Sequence, residues 1–115
     1  MIKLPQGFRL AAANADFRGK KLERKDLSLV VSDLPATAAG VFTTNLFKAA
    51  PVLVSIRHLK ESPCIRAVLI NSGQANACTG DQGIKNCLQS LTMVSNALQS
   101  MGEKIDAASI LPAST

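Results

Sequence analysis

Residues 65 to 70 read IRAVLI, apolar at every position but Arg66. A short run that is apolar on both faces is the pattern of a strand inside a sheet. It breaks at Asn71-Ser72-Gly73, a polar turn, and the apolar residues then return on another period: Ile84, Cys87, Leu88, Leu91, Val94, Leu98 and Met101. That spacing marks one face of a long helix. Thr79-Gly80-Asp81-Gln82 fits the S/T-x-x-E/Q capping box at its start, and Gly102 is placed to end it. The stripe on the helix has to be buried, and the sheet that holds the strand is the surface to bury it on.

The rest of the chain supplies that sheet. Gln6 to Ala13 is a first strand candidate. Lys25 to Ser32 (KDLSLVVS) alternates Leu27, Leu29 and Val31 on one face, a strand pattern. Asp33-Leu34-Pro35 reads as a turn. Ala39 to Thr44 (AGVFTT) is a third strand candidate. Pro51 to Ile56 (PVLVSI) is rich in β-branched residues and reads as a fourth strand, or as the start of a short element before His58-Leu59. Asp106 to Ala113 contains Ile110-Leu111, a further strand. The expected class is α/β, in α+β layers with strands and one long helix packed on a sheet. With 115 residues the chain forms one domain at most. Its last apolar stretch runs straight into Ser114-Thr115, so residues 1–115 are expected to be an incomplete domain with a continuation.

Aromatic residues are 3% of the chain, with no Trp or Tyr, so the core is aliphatic. Only Phe8, Phe17, Phe42 and Phe47 could stack on a base, which weighs against a single-stranded nucleic-acid binder. The net charge is +5, and Arg18, Lys20, Lys21, Arg24 and Lys25 carry much of the excess, interrupted by Glu23 and Asp26. The run reads as a solvated loop between two strands, with a phosphate-binding patch as the alternative. Cys64, Cys78 and Cys87 have no metal spacing, and His58 stands alone. Cys87 falls on the apolar face of the helix and reads as a small buried hydrophobe; Cys78 falls in a loop. The opening MIKLPQGFRL carries no long apolar run, so no signal peptide or membrane span is visible, and a reducing cytoplasm is the expected compartment.

No general catalytic motif is present: no GxGxxG, P-loop, HExxH or GxSxG. A lone His58 with no triad partner reads as a core or surface residue rather than a base. Three constellations of small residues remain: AGVFTTNLFKAAPV at 39–52, INSGQANACTGDQG at 70–83 and PAST at 112–115. Such loops let backbone N–H groups approach a ligand, and equally let elements pack closely. Both readings stay open from the residues alone.

These stretches, in order and spacing, resemble the ornithine acetyltransferase family, also called glutamate N-acetyltransferase. The resemblance rests on GF at 7–8, KDLSLVVSD at 25–33, GVFTTN at 40–45, KAAPV at 48–52, NSGQANACTG at 71–80 and the final Ser-Thr, which matches the start of the family's Ser-Thr-Gly motif. Gln74 stands where the family usually has Asn and keeps an amide. The resemblance implies transfer of an acetyl group from N-acetylornithine to glutamate in arginine biosynthesis, in some members also from acetyl-CoA. It implies a precursor that cleaves itself before an internal Thr. The new N-terminal Thr then acts as nucleophile with its α-amine as base. It implies an assembly of two α and two β chains, no cofactor and no metal. On this reading the chain lacks the nucleophile and is inactive alone, its partners being the downstream α segment and the β chain. Thr115 matches the Thr that contributes to the oxyanion hole and is the one catalytic residue expected here. NSGQANACTG reads as mainly structural, near the site. A non-catalytic binding or scaffold domain of similar architecture is the alternative, and predicts a chain that folds cooperatively on its own.

Overall fold

The computed structural model describes residues 3–19 and 23–115. Lys20 and Lys21 of the basic run lie outside the described residues; Arg18, Arg24 and Lys25 are exposed in the connection that joins the first two strands.

Four strands form one sheet in the order β1 (Phe8–Ala13), β2 (Leu27–Thr37), β3 (Cys64–Asn71), β4 (Ile110–Ser114). β1 with β2 and β2 with β3 are antiparallel; β3 with β4 is parallel. Helix α1 (Ala50–Glu61) lies between β2 and β3 in sequence. Helix α2 (Gly80–Ser100) and a 3-10 turn (Ala107–Ser109) make the crossover from β3 to β4.

The apolar run at 65–70 is the core of β3, an interior strand as its two-faced pattern requires. Its alternate residues Ile65, Ala67 and Leu69 are buried. With Val31 and Ile110 from the flanking strands, Ala67 and Leu69 meet Val54 of α1 and Cys87, Leu91 and Leu98 of α2. Leu91 and Ile110 are 0% exposed and sit at the centre. Fully burying such side chains contributes roughly 1.5–3 kcal/mol each. The opposite face of the sheet is different. Register places Leu10, Val30, Val68 and Leu111 in one row across all four strands, and Ala12, Ser28, Ile70 and Ala113 in the next. Leu10 is 55% exposed there, and Val30, Val68 and Leu111 are only partly buried.

Four expectations need correction. Pro51 to Ile56 is helical, within α1. Buried Pro51, Val54, Ser55 and His58 follow a helical i, i+3, i+4, i+7 spacing, which overrides the β-branched content. Pro51 is in the first turn, where a missing N–H costs nothing. Ala39 to Thr44 is no strand but an exposed connection. Side chains there bond locally, Thr43 Oγ1 accepting from the Asn45 N–H (3.1 Å) and Asn45 Oδ1 from the Phe47 N–H (2.9 Å), in competition with any ladder. Asp33-Leu34-Pro35 does not end its strand; β2 runs on to Thr37 through a register shift between Val31 and Ala36 that accommodates the proline. Thr79 starts α2 as expected but makes no side-chain cap. Its hydroxyl donates instead to Asn76 Oδ1 (2.6 Å), and Gln82 bonds Asn86 (2.8 Å).

The other end of α2 is as expected. Gly102 has φ 88, its N–H bonds the Gln99 carbonyl, and the Glu103 N–H bonds that of Leu98. This is the Schellman arrangement, which favours glycine because of the positive φ. The Arg9 guanidinium ties β1 to this corner, bonding Asp33 at 2.7 Å and Glu103 through both terminal nitrogens. That bond, first among its causes, holds the Glu103 carboxyl below its ordinary value.

Helix α1 closes the outer edge of β4. Ser55 Oγ donates to the Pro112 carbonyl (3.0 Å), and His58 Nδ1 donates to that of Ile110 (2.9 Å). The outward-facing backbone of β4 thus finds partners in side chains, and Pro112 sits at an edge position where no N–H is needed. His58 is a buried core residue held by that bond.

Candidate functional site

The carboxyl end of β3 lies beside Ser114 and Thr115. β3 finishes at Asn71 and β4 at Ser114, paired in register. Ligands in open α/β sheets commonly bind beyond the carboxyl ends of the parallel strands. Asn71 and the turn after β3 hold Thr115, the residue after β4, through backbone bonds. The Thr115 N–H donates to the Asn71 carbonyl (3.0 Å), and the Gly73 N–H donates to the Thr115 carbonyl (2.8 Å). Gly73 reaches this position at φ 102, and a Cβ there would meet the Arg18 side chain at 3.1 Å. The positive φ selects glycine.

The side chains repeat the connection. Ser114 Oγ donates to Asn71 Oδ1 at 2.5 Å, and Asn71 Nδ2 donates to the Gln74 carbonyl at 2.8 Å. A carbonyl can only accept, so the Gln74 bond fixes which end of the amide faces Ser114. With Ser114 and Asn71 turned to the helix side, strand alternation projects Thr115 to the opposite, open face. Its backbone N–H and carbonyl are both engaged, so its hydroxyl is the donor it can offer.

A third segment is fixed to the same turn by Asp26. Asp26 is 8% exposed. Its carboxylate accepts from the Ala15 N–H (2.6 Å) and the Phe17 N–H (2.9 Å), and its carbonyl accepts from the Ser72 N–H (2.8 Å). The Ala15 N–H is the largest cause that holds this carboxyl below the usual Asp range. The acid that interrupts the basic run in sequence is therefore the hub of the 14–17 loop. Sequence reasoning missed this role; a single Asp ahead of an apolar strand was the only signal. The start of α1 joins too, through the Ala50 N–H on the Asn76 carbonyl (3.2 Å).

On the helix side of Ser114 lies a cleft of about 280 Å³, between α2 and the strand ends. Asn71, Asn86, Cys87, Met93 and Ser114 are among its lining residues, and among the described residues no charged side chain lines it. A second cleft of about 220 Å³ opens between α1 and β4, with Phe42, Val52, Ser55 and Ser114 in its wall. Cys87 is buried, and burial pushes its thiol up, which disfavours the thiolate form. Cys78 is exposed in the 71–79 loop at φ 57. Among the described residues no group of three or more His, Cys, Asp or Glu side chains could hold a metal ion.

Of the three small-residue constellations, residues 70–83 and 112–115 meet at this site. Residues 39–52 contribute Phe42 and the start of α1 to the second cleft.

The sequence profile of the ArgJ family matches residues 9–115. The chain belongs to the ArgJ family. It is 58% identical over 115 residues to the arginine biosynthesis bifunctional protein ArgJ of Nitratidesulfovibrio vulgaris, an alignment that covers all of this chain and 28% of that protein. Among solved structures it is similar to ornithine acetyltransferase from Mycobacterium tuberculosis, complexed with ornithine. The TM-score is 0.89 and the identity 40%, over 96% of this chain and 56% of that one. It is also similar to the ArgJ protein of Bacillus halodurans, with a TM-score of 0.83 and 29% identity over 96% of this chain and 53% of that one. The mixed α/β architecture expected from the sequence is thus the architecture of ArgJ structures. The chain spans about a quarter of the length of the curated relative it matches over its whole length. No helix among the described residues is long and apolar enough to cross a membrane.

Proposed function

We propose that residues 1–115 are the leading segment of a cytoplasmic acyltransferase that moves an acetyl group from N-acetylornithine to glutamate in arginine biosynthesis. The relative lengths support a longer polypeptide, because this chain covers 28% of a relative that matches it throughout. The solved relative from M. tuberculosis is complexed with ornithine, the product that such a transfer would release.

The observation that carries the reading is the state of Thr115. Its backbone is held on both sides by Asn71 and Gly73, at the end of the parallel strand pair, with the hydroxyl left to donate. In acetyl transfer the donor carbonyl is attacked by a nucleophile supplied from the rest of the polypeptide, an N-terminal Thr released by self-cleavage. The carbonyl oxygen becomes an oxyanion, and the Thr115 Oγ1–H donates to it. Collapse expels ornithine and leaves the acetyl ester; glutamate attacks the ester through a second oxyanion at the same donor. A fixed donor of this kind is worth roughly 3–4 kcal/mol of barrier. Acetyl-CoA as a second donor and an assembly of two α and two β chains belong to the same proposal.

The test uses the family-length polypeptide that carries this sequence. Intact mass should give two stoichiometric chains, the second beginning with Thr, and labelled acetylornithine should acetylate glutamate. A single uncut chain that transfers no label would overturn the proposal.

A further inference from the structure

We infer that Ser114 and Asn71 are positioning residues that aim the Thr115 hydroxyl, an inference that rests on the oxyanion reading of Thr115. Thr115 follows Ser114, which pairs with Asn71 in the β3–β4 register. Three hydrogen bonds from one turn hold it here: Asn71 carbonyl to Thr115 N–H, Gly73 N–H to Thr115 carbonyl, and Asn71 Oδ1 to Ser114 Oγ–H. The first two fix the Thr115 peptide planes. The third fixes the residue before it, and so the direction in which the Thr115 side chain leaves the strand.

The residue types fit this task. Asn71 needs an acceptor for Ser114 and a donor for the Gln74 carbonyl at the same time. An amide supplies both; a carboxylate supplies only acceptors. Ser114 needs a hydroxyl that can donate. Neither side chain can touch a substrate that meets Thr115 on the open face, because both turn to the helix side. Their effect passes through Thr115. A donor displaced by a fraction of an ångström loses strength in the transition state more than in substrate binding.

The experiment measures steady-state kinetics of the family-length enzyme carrying Ser114→Val, Ser114→Thr, Thr115→Ala and the double variant Ser114→Val/Thr115→Ala. Val and Thr have the same shape and suit a strand, and Ser114 borders both clefts, so either side chain has space. Ser114→Val should lower kcat by about 10- to 100-fold with KM nearly unchanged. Ser114→Thr should recover most of it. In the Thr115→Ala background Ser114→Val should have no further effect, because the group it aims is gone. Asn71→Asp, which keeps the acceptor for Ser114, should keep kcat above that of Ser114→Val. If Thr115→Ala lowers kcat while Ser114→Val does not, the positioning role is wrong and the oxyanion reading stands. Additive losses in the double variant would mean a structural role only and would also overturn it. If Thr115→Ala leaves kcat unchanged, the oxyanion reading fails and takes this inference with it.

Discussion

The two faces of the sheet are built from the same four strands, yet they do different work. The helix-covered face is continuous apolar contact: Val31, Ala67, Leu69 and Ile110 lie under Val54, Leu91 and Leu98. Its polar groups, Ser55, His58 and Ser95, are each satisfied by a backbone carbonyl. The open face carries a row of half-buried aliphatic side chains and, at its carboxyl end, the hydroxyl of Thr115. Burial on the helix-covered face stabilises the fold, and the proposed chemistry lies at the rim of the other. The hydrogen bonds of Asn71 and Gly73 join the two, because they sit where the strands leave the packed layer.

The comparison can be broken most directly by truncation. Leu91→Ala should destabilise the fold by about 2–5 kcal/mol, the usual cost of emptying a fully buried leucine site. Leu10→Ala on the open face should change stability by no more than about 0.5 kcal/mol. Urea unfolding of the family-length polypeptide that carries this sequence measures both. Equal losses would mean that the open face is as important to the fold as the packed one.

A smaller effect sharpens the boundary between the faces. The Asp26 carboxyl is held below its unfolded value by the Ala15 N–H first and the Phe17 N–H after it. A depressed acid stabilises the fold above its unfolded pKa, and the contribution is lost as pH falls through the lower folded value. Between those two values the unfolded chain binds the extra proton, so stability rises with pH there. The urea midpoint should therefore fall below about pH 4, and Asp26→Asn should flatten that fall. An unchanged acid profile in Asp26→Asn would show that the bonds to residues 15 and 17 contribute nothing to stability.

Much of the packed layer was legible in the sequence because it follows period. The doubly apolar 65–70 run, the stripe from Ile84 to Leu98 and the stop at Gly102 appear where the pattern puts them, whereas Met101 lies just past the helix and is exposed. For PVLVSI the β-branched composition pointed to a strand, while the burial period, extending to His58, is helical and agrees with the other reading, an element running on to His58-Leu59. AGVFTT misled because local side-chain bonds at Thr43 and Asn45 replaced sheet pairing, which no propensity records. At the site, the resemblance singled out Thr115 and the 71–80 loop. Their contact is a matter of register between strands separated by the whole of α2, so neither the Asn71–Ser114 pair nor the reach of Asp26 to residues 15 and 17 could be read from spacing.

The central claim is that Thr115 acts through its hydroxyl while its backbone only anchors it. The measurement is turnover of acetylornithine and glutamate by the family-length enzyme with Thr115→Ala and Thr115→Ser, alongside the unfolding midpoint of each. The account predicts that Thr115→Ala lowers kcat by about 100- to 1,000-fold, that Thr115→Ser retains most of it, and that neither shifts the midpoint. Turnover unchanged in Thr115→Ala would contradict it.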